Sequence, residues 1–197
     1  MTALLPRLFR PDVLPLAELM ALCLDGQLYR VGDSFATLDT PDSAALRAAA
    51  FASSAPSHVI ADRGTAAWIH GARASPSHRP QVCVDARSRG GRIPPEFDGR
   101  QTTLSRGDVQ LIDEARVTSP ARTALDLLCV DGRFSPDAAA QVLYLLDRAG
   151  VPVSSIKSRM RGSSRTNARR YLARADQLSA RARSVLRPFP GPTRSSC

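Results

Sequence analysis

A chain of 197 residues with 43% hydrophobic content can bury one core, or one core and a small accessory unit, and is too apolar for wholesale disorder. Aromatic residues supply only 5%, so the core must be built from Ala, Leu and Val, which suits helices packed on a modest sheet. No apolar run approaches the ~20 residues of a membrane span, residues 1–8 are too short and proline-broken for a signal peptide, and the expected location is the cytoplasm.

Residues 1–15 hold Pro6, Pro11 and Pro15 and are expected to be an extended lead-in. Residues 16–24 read as a short helix, with Leu16, Leu19, Met20 and Cys23 at i, i+3, i+4, i+7. Asp25-Gly26 closes it. Strands at 27–31 and 34–38 flank Gly32-Asp33, the pattern of a tight hairpin. A helix followed by a hairpin matches the last helix and wing of a winged helix-turn-helix, a module whose recognition helix enters the major groove. The two helices that normally brace that helix are not expected within residues 1–15. Asp12, Glu18 and Asp25 also make the local charge poor for phosphate.

Thr40 is the expected N-cap of the next helix, with Pro41 in its first turn, running through residues 44–53. A short strand at 57–61 leads into a strand-to-helix turn over 62–69, ended by Gly71. Residues 81–86 alternate, Val82 and Val84 against Cys83 and Asp85, as a strand does. A Gly/Pro/Arg loop over 88–98 precedes strands at 100–104, 109–112 and 115–117. Ser119-Pro120 opens a helix to residue 129, with Ser119 as cap and Pro120 at the first helical position. Further helices are expected at 137–149, capped from Ser135, at 154–161 and at about 164–186. Pro188, Pro190 and Pro192 end regular structure, and the last ten residues are expected to be disordered. The fold class is α+β: a partial winged helix over 1–40, a small mixed sheet packed with helices over 41–150, a basic helical arm over 151–187 and a tail over 188–197.

Charge is concentrated in that arm. From Lys157 onward there are eleven basic residues against Asp176 alone, about +10, so residues 1–156 are close to neutral. Lys157, Arg159, Arg161, Arg165, Arg169, Arg170 and Arg174, with Arg30 on the hairpin, are the candidate DNA- or partner-binding residues. Guanidinium forks suit phosphate or an acidic protein surface equally. Only Tyr171 and Phe189 interrupt the arm, so base stacking is a minor theme.

Candidates for catalysis are sparse. Cys23, Cys83, Cys129 and Cys197 form no CxxC pair, so neither a zinc site nor a disulfide framework is expected. His70 has no carboxylate at helical spacing and reads as a hydrogen-bonded helix end. His58 and His78 carry no motif. A metal-dependent nuclease or nucleotidyltransferase would need Asp85, Asp113 and Glu114 to converge within about 5 Å. Asp85 stands alone, and the neighbours Asp113 and Glu114 point to opposite faces of a strand. There is no GxSxG or GxxxxGK[ST] signature. Arg122 and Asp126, at i, i+4, read as a pair that fixes a helix on the sheet. No metal and no cofactor are expected.

Three stretches carry a family resemblance: 25–32 (DGQLYRVG), 61–71 (ADRGTAAWIHG) and 117–126 (VTSPARTALD). In order and spacing the chain resembles the actinobacterial branch of the AbiEi-family antitoxins of type IV toxin–antitoxin systems. The resemblance spans roughly residues 16–130 and singles out Thr65, Trp68, His70, Gly71, Ser119, Pro120, Arg122 and Asp126 as its structural motif. It implies a winged-helix unit that represses its own operon, followed by an α+β antitoxin domain. The implied partners are operator DNA and a nucleotidyltransferase toxin, and the implied protein is not an enzyme. Residues 172–187 resemble a linker that elsewhere leads into a Vsr-like nuclease domain, which this chain is expected to lack.

Overall fold

The computed structural model describes residues 7–87, 92–130, 134–161 and 168–185, and within them the protein is α+β with a mixed sheet. The chain begins with helix α1 (Leu16–Leu24) and a hairpin of β1 (Leu28–Val31) and β2 (Ser34–Thr37). Val31 pairs with Ser34, so Gly32-Asp33 forms the two-residue turn, and Gly32 takes φ 63°. The lead-in is more than extended chain. Phe9 exchanges two backbone hydrogen bonds with Phe35, at 2.7 and 2.8 Å, and extends the edge of the hairpin.

A small core of Leu19, Leu28 and Phe35 holds this unit together, with Phe9, Leu14, Leu22 and Cys23 packed around it. The buried face of α1 therefore differs from the expected one. Leu19, Leu22 and Cys23 turn inward, whereas Leu16 and Met20 stay exposed. The helix is apolar on most of its circumference, so periodicity alone fits either arc, and the position of the hairpin chose between them.

Helix α2 (Ala44–Ala52) starts at Ser43, whose hydroxyl accepts from the Leu46 N–H at 3.2 Å. The expected cap, Thr40, is occupied elsewhere. Its carbonyl accepts from the Tyr29 hydroxyl and its side chain bonds Thr37. The remaining elements are β3 (Ile60–Ala61), α3 (Arg63–Ile69), β4 (Gln81–Asp85), β5 (Asp98–Thr102), β6 (Val109–Ile112), β7 (Ala115–Thr118), α4 (Pro120–Leu128), α5 (Pro136–Arg148), α6 (Val153–Arg161) and α7 (Ala168–Val185).

Five strands form one sheet in the order β5-β4-β3-β7-β6. Strand β3 lies antiparallel to β4 and parallel to β7, β4 and β5 are parallel, and β6 and β7 form a hairpin. The alternation in β4 sends Val82 and Val84 to one face and Cys83 to the other, and all three are buried, because both faces are covered. Val82 and Val84 join the main core with α2, α3 and Phe97, and Cys83 packs behind the sheet with Ile60 and Leu104.

Helix α3 is buried from Gly64 to Ile69 because it is a wall shared by two cores. Ala66, Trp68 and Ile69 face the sheet core, and Ala67 faces a helical core built from α4, α5, α6 and α7. Alanines at 66 and 67 allow that close approach on both sides. Gly71, at φ 84°, ends the helix. At α4, Pro120 occupies the first turn as expected, but the Ser119 side chain makes no capping bond. The Thr123 hydroxyl instead donates to the Thr118 and Ser119 carbonyls, both at 3.0 Å. Among the described residues no helix is long and apolar enough to cross a membrane. The tail at 188–197 lies outside the described residues.

The hairpin docks on the body through Gly32, where an added Cβ would stand 3.3 Å from the Trp68 ring. Gly32→Ala is expected to cost about 1–2 kcal/mol, from left-handed backbone strain and from the tight contact. Urea unfolding followed by the emission of Trp68, the single tryptophan, measures both the loss and the displaced ring.

Candidate functional site

The buried charges of the body form one chain of alternating sign. Arg63 bridges Asp98 (3.2 Å) and Asp62 (3.0 Å), Arg100 bridges Asp62 (2.6 Å) and Asp126 (3.0 Å), and Arg122 bridges Asp126 (2.8 Å) and Asp108 (2.8 Å). Four carboxylates thus alternate with three guanidiniums across β3, α3, β5, α4 and the turn before β6. Arg122 adds bonds to the Thr103 carbonyl and the Thr102 hydroxyl, both at 3.0 Å. The expected pair of Arg122 and Asp126 is present, but as one link of a longer chain.

Sequence reasoning missed Asp62, Arg63, Asp98, Arg100 and Asp108, which come from segments far apart in the chain. The adjacent Asp62 and Arg63 inside the second motif were the one local signal. Arg63 adopts φ 44°, a strained conformation for a side-chain-bearing residue. Its guanidinium is held by Asp62, by the Asp98 carboxylate and by the Asp98 carbonyl at 2.8 Å.

Every carboxylate of this arrangement faces at least one guanidinium. Burial raises the pKa of Asp62, opposed by the charges of Arg100 and Arg63. Burial also works against the charge of Arg100, but Asp126 and Asp62 more than offset it and its pKa rises. Among the described residues neither the buried Asp126 Oδ1 nor the buried Arg100 Nη2 has a hydrogen-bond partner, although that Nη2 lies 3.0 Å from Asp126 Oδ2 as an ion pair. The Cys83 thiol beside the chain is pushed up to about 12, chiefly by burial and then by Asp62, so it stays protonated.

The carboxylates that a nuclease-like site would need do not converge. Asp85 ends β4 and accepts from the Arg87 backbone N–H at 3.1 Å, which holds its pKa down. Asp113 and Glu114 form the turn between β6 and β7, three strand spacings away in the sheet, roughly 14 Å. Among the described residues no group of three or more His, Cys, Asp or Glu side chains could hold a metal ion.

His70 is buried at the end of α3, and its Nε2–H donates to the Thr118 carbonyl at 2.7 Å, tying the second motif to the third. Thr65, in the same helix, accepts from the Gln81 N–H at 2.7 Å. Arg47 lies over the Trp68 ring, 5.8 Å from its centroid, and donates to the Trp68 carbonyl at 2.7 Å. Above Trp68 a cleft of about 590 Å³ opens between the hairpin and the body, lined by Tyr29, Asp33, Arg47, Thr65 and His78 among others.

The basic arm is less uniform than its sequence implied. Arg174 is 6% exposed and donates to the Leu128 and Val130 carbonyls at 2.8 and 2.7 Å, closing the C-terminal end of α4. Its guanidinium lies over the rings of Phe134 and Tyr171, at 5.3 and 5.8 Å. It is therefore removed from the candidate partner-binding residues, since an otherwise unsatisfied helix end and two aromatic faces draw it inward. Lys157 is turned to Asp176 at 2.7 Å, and Tyr171 is buried. Arg169 and Arg170 are exposed. On the hairpin, Arg30 is exposed and donates to the Gly32 carbonyl beside Asp33. Arg165 and the side chains of Arg159 and Arg161 lie outside the described residues.

Removing one member of the buried chain strands its neighbours. Asp126→Ala should cost about 3–5 kcal/mol in denaturant unfolding, because Arg100 and Arg122 both lose a carboxylate inside the protein. A pH effect follows from His70. Burial lowers its pKa below the ordinary 6.5, so its stabilising effect is present above that pH. As pH falls further the unfolded chain takes up a proton that the folded chain refuses, and stability is lost. The melting temperature should fall between pH 7 and 5.5, and His70→Gln should flatten that slope. No family model matches the sequence, and no curated protein matches it.

Proposed function

We propose that this protein is a non-enzymatic, antitoxin-like transcriptional regulator of the AbiEi type. In this reading it binds operator DNA, counteracts a nucleotidyltransferase toxin, or does both. One observation carries the reading: charge is segregated by role. The acids of the body are locked between guanidiniums. The about +10 of the arm has exposed members at Arg169 and Arg170 on α7. A molecule of this kind meets its partners through positive potential and shape.

The three resembling stretches also touch one another, through Gly32 against Trp68, His70 on Thr118, and Arg100 between Asp62 and Asp126. That contact supports reading them as the framework of one co-folded unit. Phosphate contact is assigned to the arm and not to α1, whose exposed side combines apolar residues with Glu18. The arm's share of the DNA affinity depends steeply on salt and weakly on sequence.

Two measurements test the reading. Fluorescence anisotropy with a duplex from upstream of the gene should show binding at low salt. Converting both Arg169 and Arg170 to Gln should make the log–log salt dependence shallower by about two units. Co-production with an AbiEii-type nucleotidyltransferase toxin should restore growth. No DNA binding at low salt together with no growth rescue sinks the proposal.

A further inference from the structure

Helix α1 is packed on one side only. Leu16, Met20 and Leu24, spaced four residues apart, form a row that remains 54%, 45% and 87% exposed. Val13, just before the helix, is 64% exposed. Leu38, whose N–H bonds the Gln27 carbonyl just beyond the helix, is 63% exposed. Ala17 and Ala21 lie beside the leucine–methionine row and are also exposed. Single apolar residues on a surface are ordinary, but a continuous row of them marks a contact.

We propose that this face of α1 is where two copies of the chain associate, helix against helix about a two-fold axis near Met20. The inference does not rest on the antitoxin reading. A two-fold contact requires a surface complementary to itself. Here the ridge of Leu16, Met20 and Leu24 runs beside the shallow groove over Ala17 and Ala21. The ridge of each copy can therefore lie in the groove of the other, with the helices crossing at about −50°.

Charge excludes a nucleic acid from this face and makes it the part of the surface where two copies repel least. A protein of net charge +9 repels itself over most of its surface. The exposed side of α1 carries one charge, Glu18, with Asp25 at one end and the Asp12–Arg10 ion pair at the other. Two copies thus meet where the positive excess is absent, and Glu18 and Asp25 oppose phosphate. Area sets the strength. Five side chains with on the order of 100 Å² each give about 500 Å² per copy. The pair then buries about 1,000 Å², the lower limit of a specific interface. The dimer is accordingly weak, with a dissociation constant of about 1–100 μM.

Sedimentation equilibrium of the full chain over ~5–300 μM, bracketing that range, tests the proposal. The mass should rise with concentration from 21.2 kDa toward twice that value. Leu24→Glu and Met20→Glu should each weaken association at least ~10-fold while the far-UV circular dichroism melt stays unchanged. Leu24→Ser, at the most exposed position, provides the same readout with little demand on folding. A wild-type chain that remains at 21.2 kDa throughout overturns the inference. So does an association that folded Leu24→Glu and Leu24→Ser leave unchanged.

Discussion

The fold depends on a single run of charge, Asp98–Arg63–Asp62–Arg100–Asp126–Arg122–Asp108, open to solvent at Asp98, half-buried at Arg100 and buried at Asp62, Asp126, Arg122 and Asp108. Taking any one of these ions out of water costs several kcal/mol, and one partner seldom offsets that. Here each guanidinium sits between two carboxylates, so the cost is shared along the chain. The run crosses the sheet where hydrogen bonding alone is thin, since β3 contributes only Ile60 and Ala61. Arg100 joins β5 to the end of β3 and to α4, and Arg122 joins α4 to the turn before β6. Such links are directional, which apolar packing is not, and they set how α4 sits on the sheet.

Around that run the protein divides its apolar surface between two main cores, with α3 as the wall between them. A helix covered on all sides needs small residues wherever another element crosses it, as at Ala66 and Ala67, and Trp68 packs beneath the hairpin against Gly32. Gly32 answers Trp68 from the other side. The N-terminal unit is thus attached through a fitted contact, aided by Arg10, which donates to the Ser53 carbonyl at 3.0 Å.

The same distinction between inward and outward arginine governs the proposed function. Arg47, Arg63, Arg100, Arg122 and Arg174 are structural, each turned to carboxylates, carbonyls or ring faces of the protein itself. Guanidinium tolerates such sites because it is planar, weakly hydrated and always charged. Arg169 is exposed to solvent and Arg170 is exposed while lying over the Tyr171 ring, 5.3 Å from its centroid; at exposed positions guanidinium can meet phosphate or an acidic surface. Net charge alone does not separate the two classes.

The sequence by itself determined the α+β class, the order of the elements and several of their ends. Those features are local: Ser135 caps α5 through the Ala138 N–H, Pro120 opens α4, and Gly32-Asp33 forms the hairpin turn. It also disclosed Arg122 with Asp126, because four residues make one helical turn. Only the tertiary structure decided the rest. Arg100, the partner that Asp62 and Asp126 share, lies tens of residues from both, and that pairing exists only once the sheet has formed. The buried face of α1, the two covered faces of β4 and the inward turn of Arg174 depend likewise on which element lies alongside. Periodicity records that a surface is apolar, and packing alone chooses what covers it.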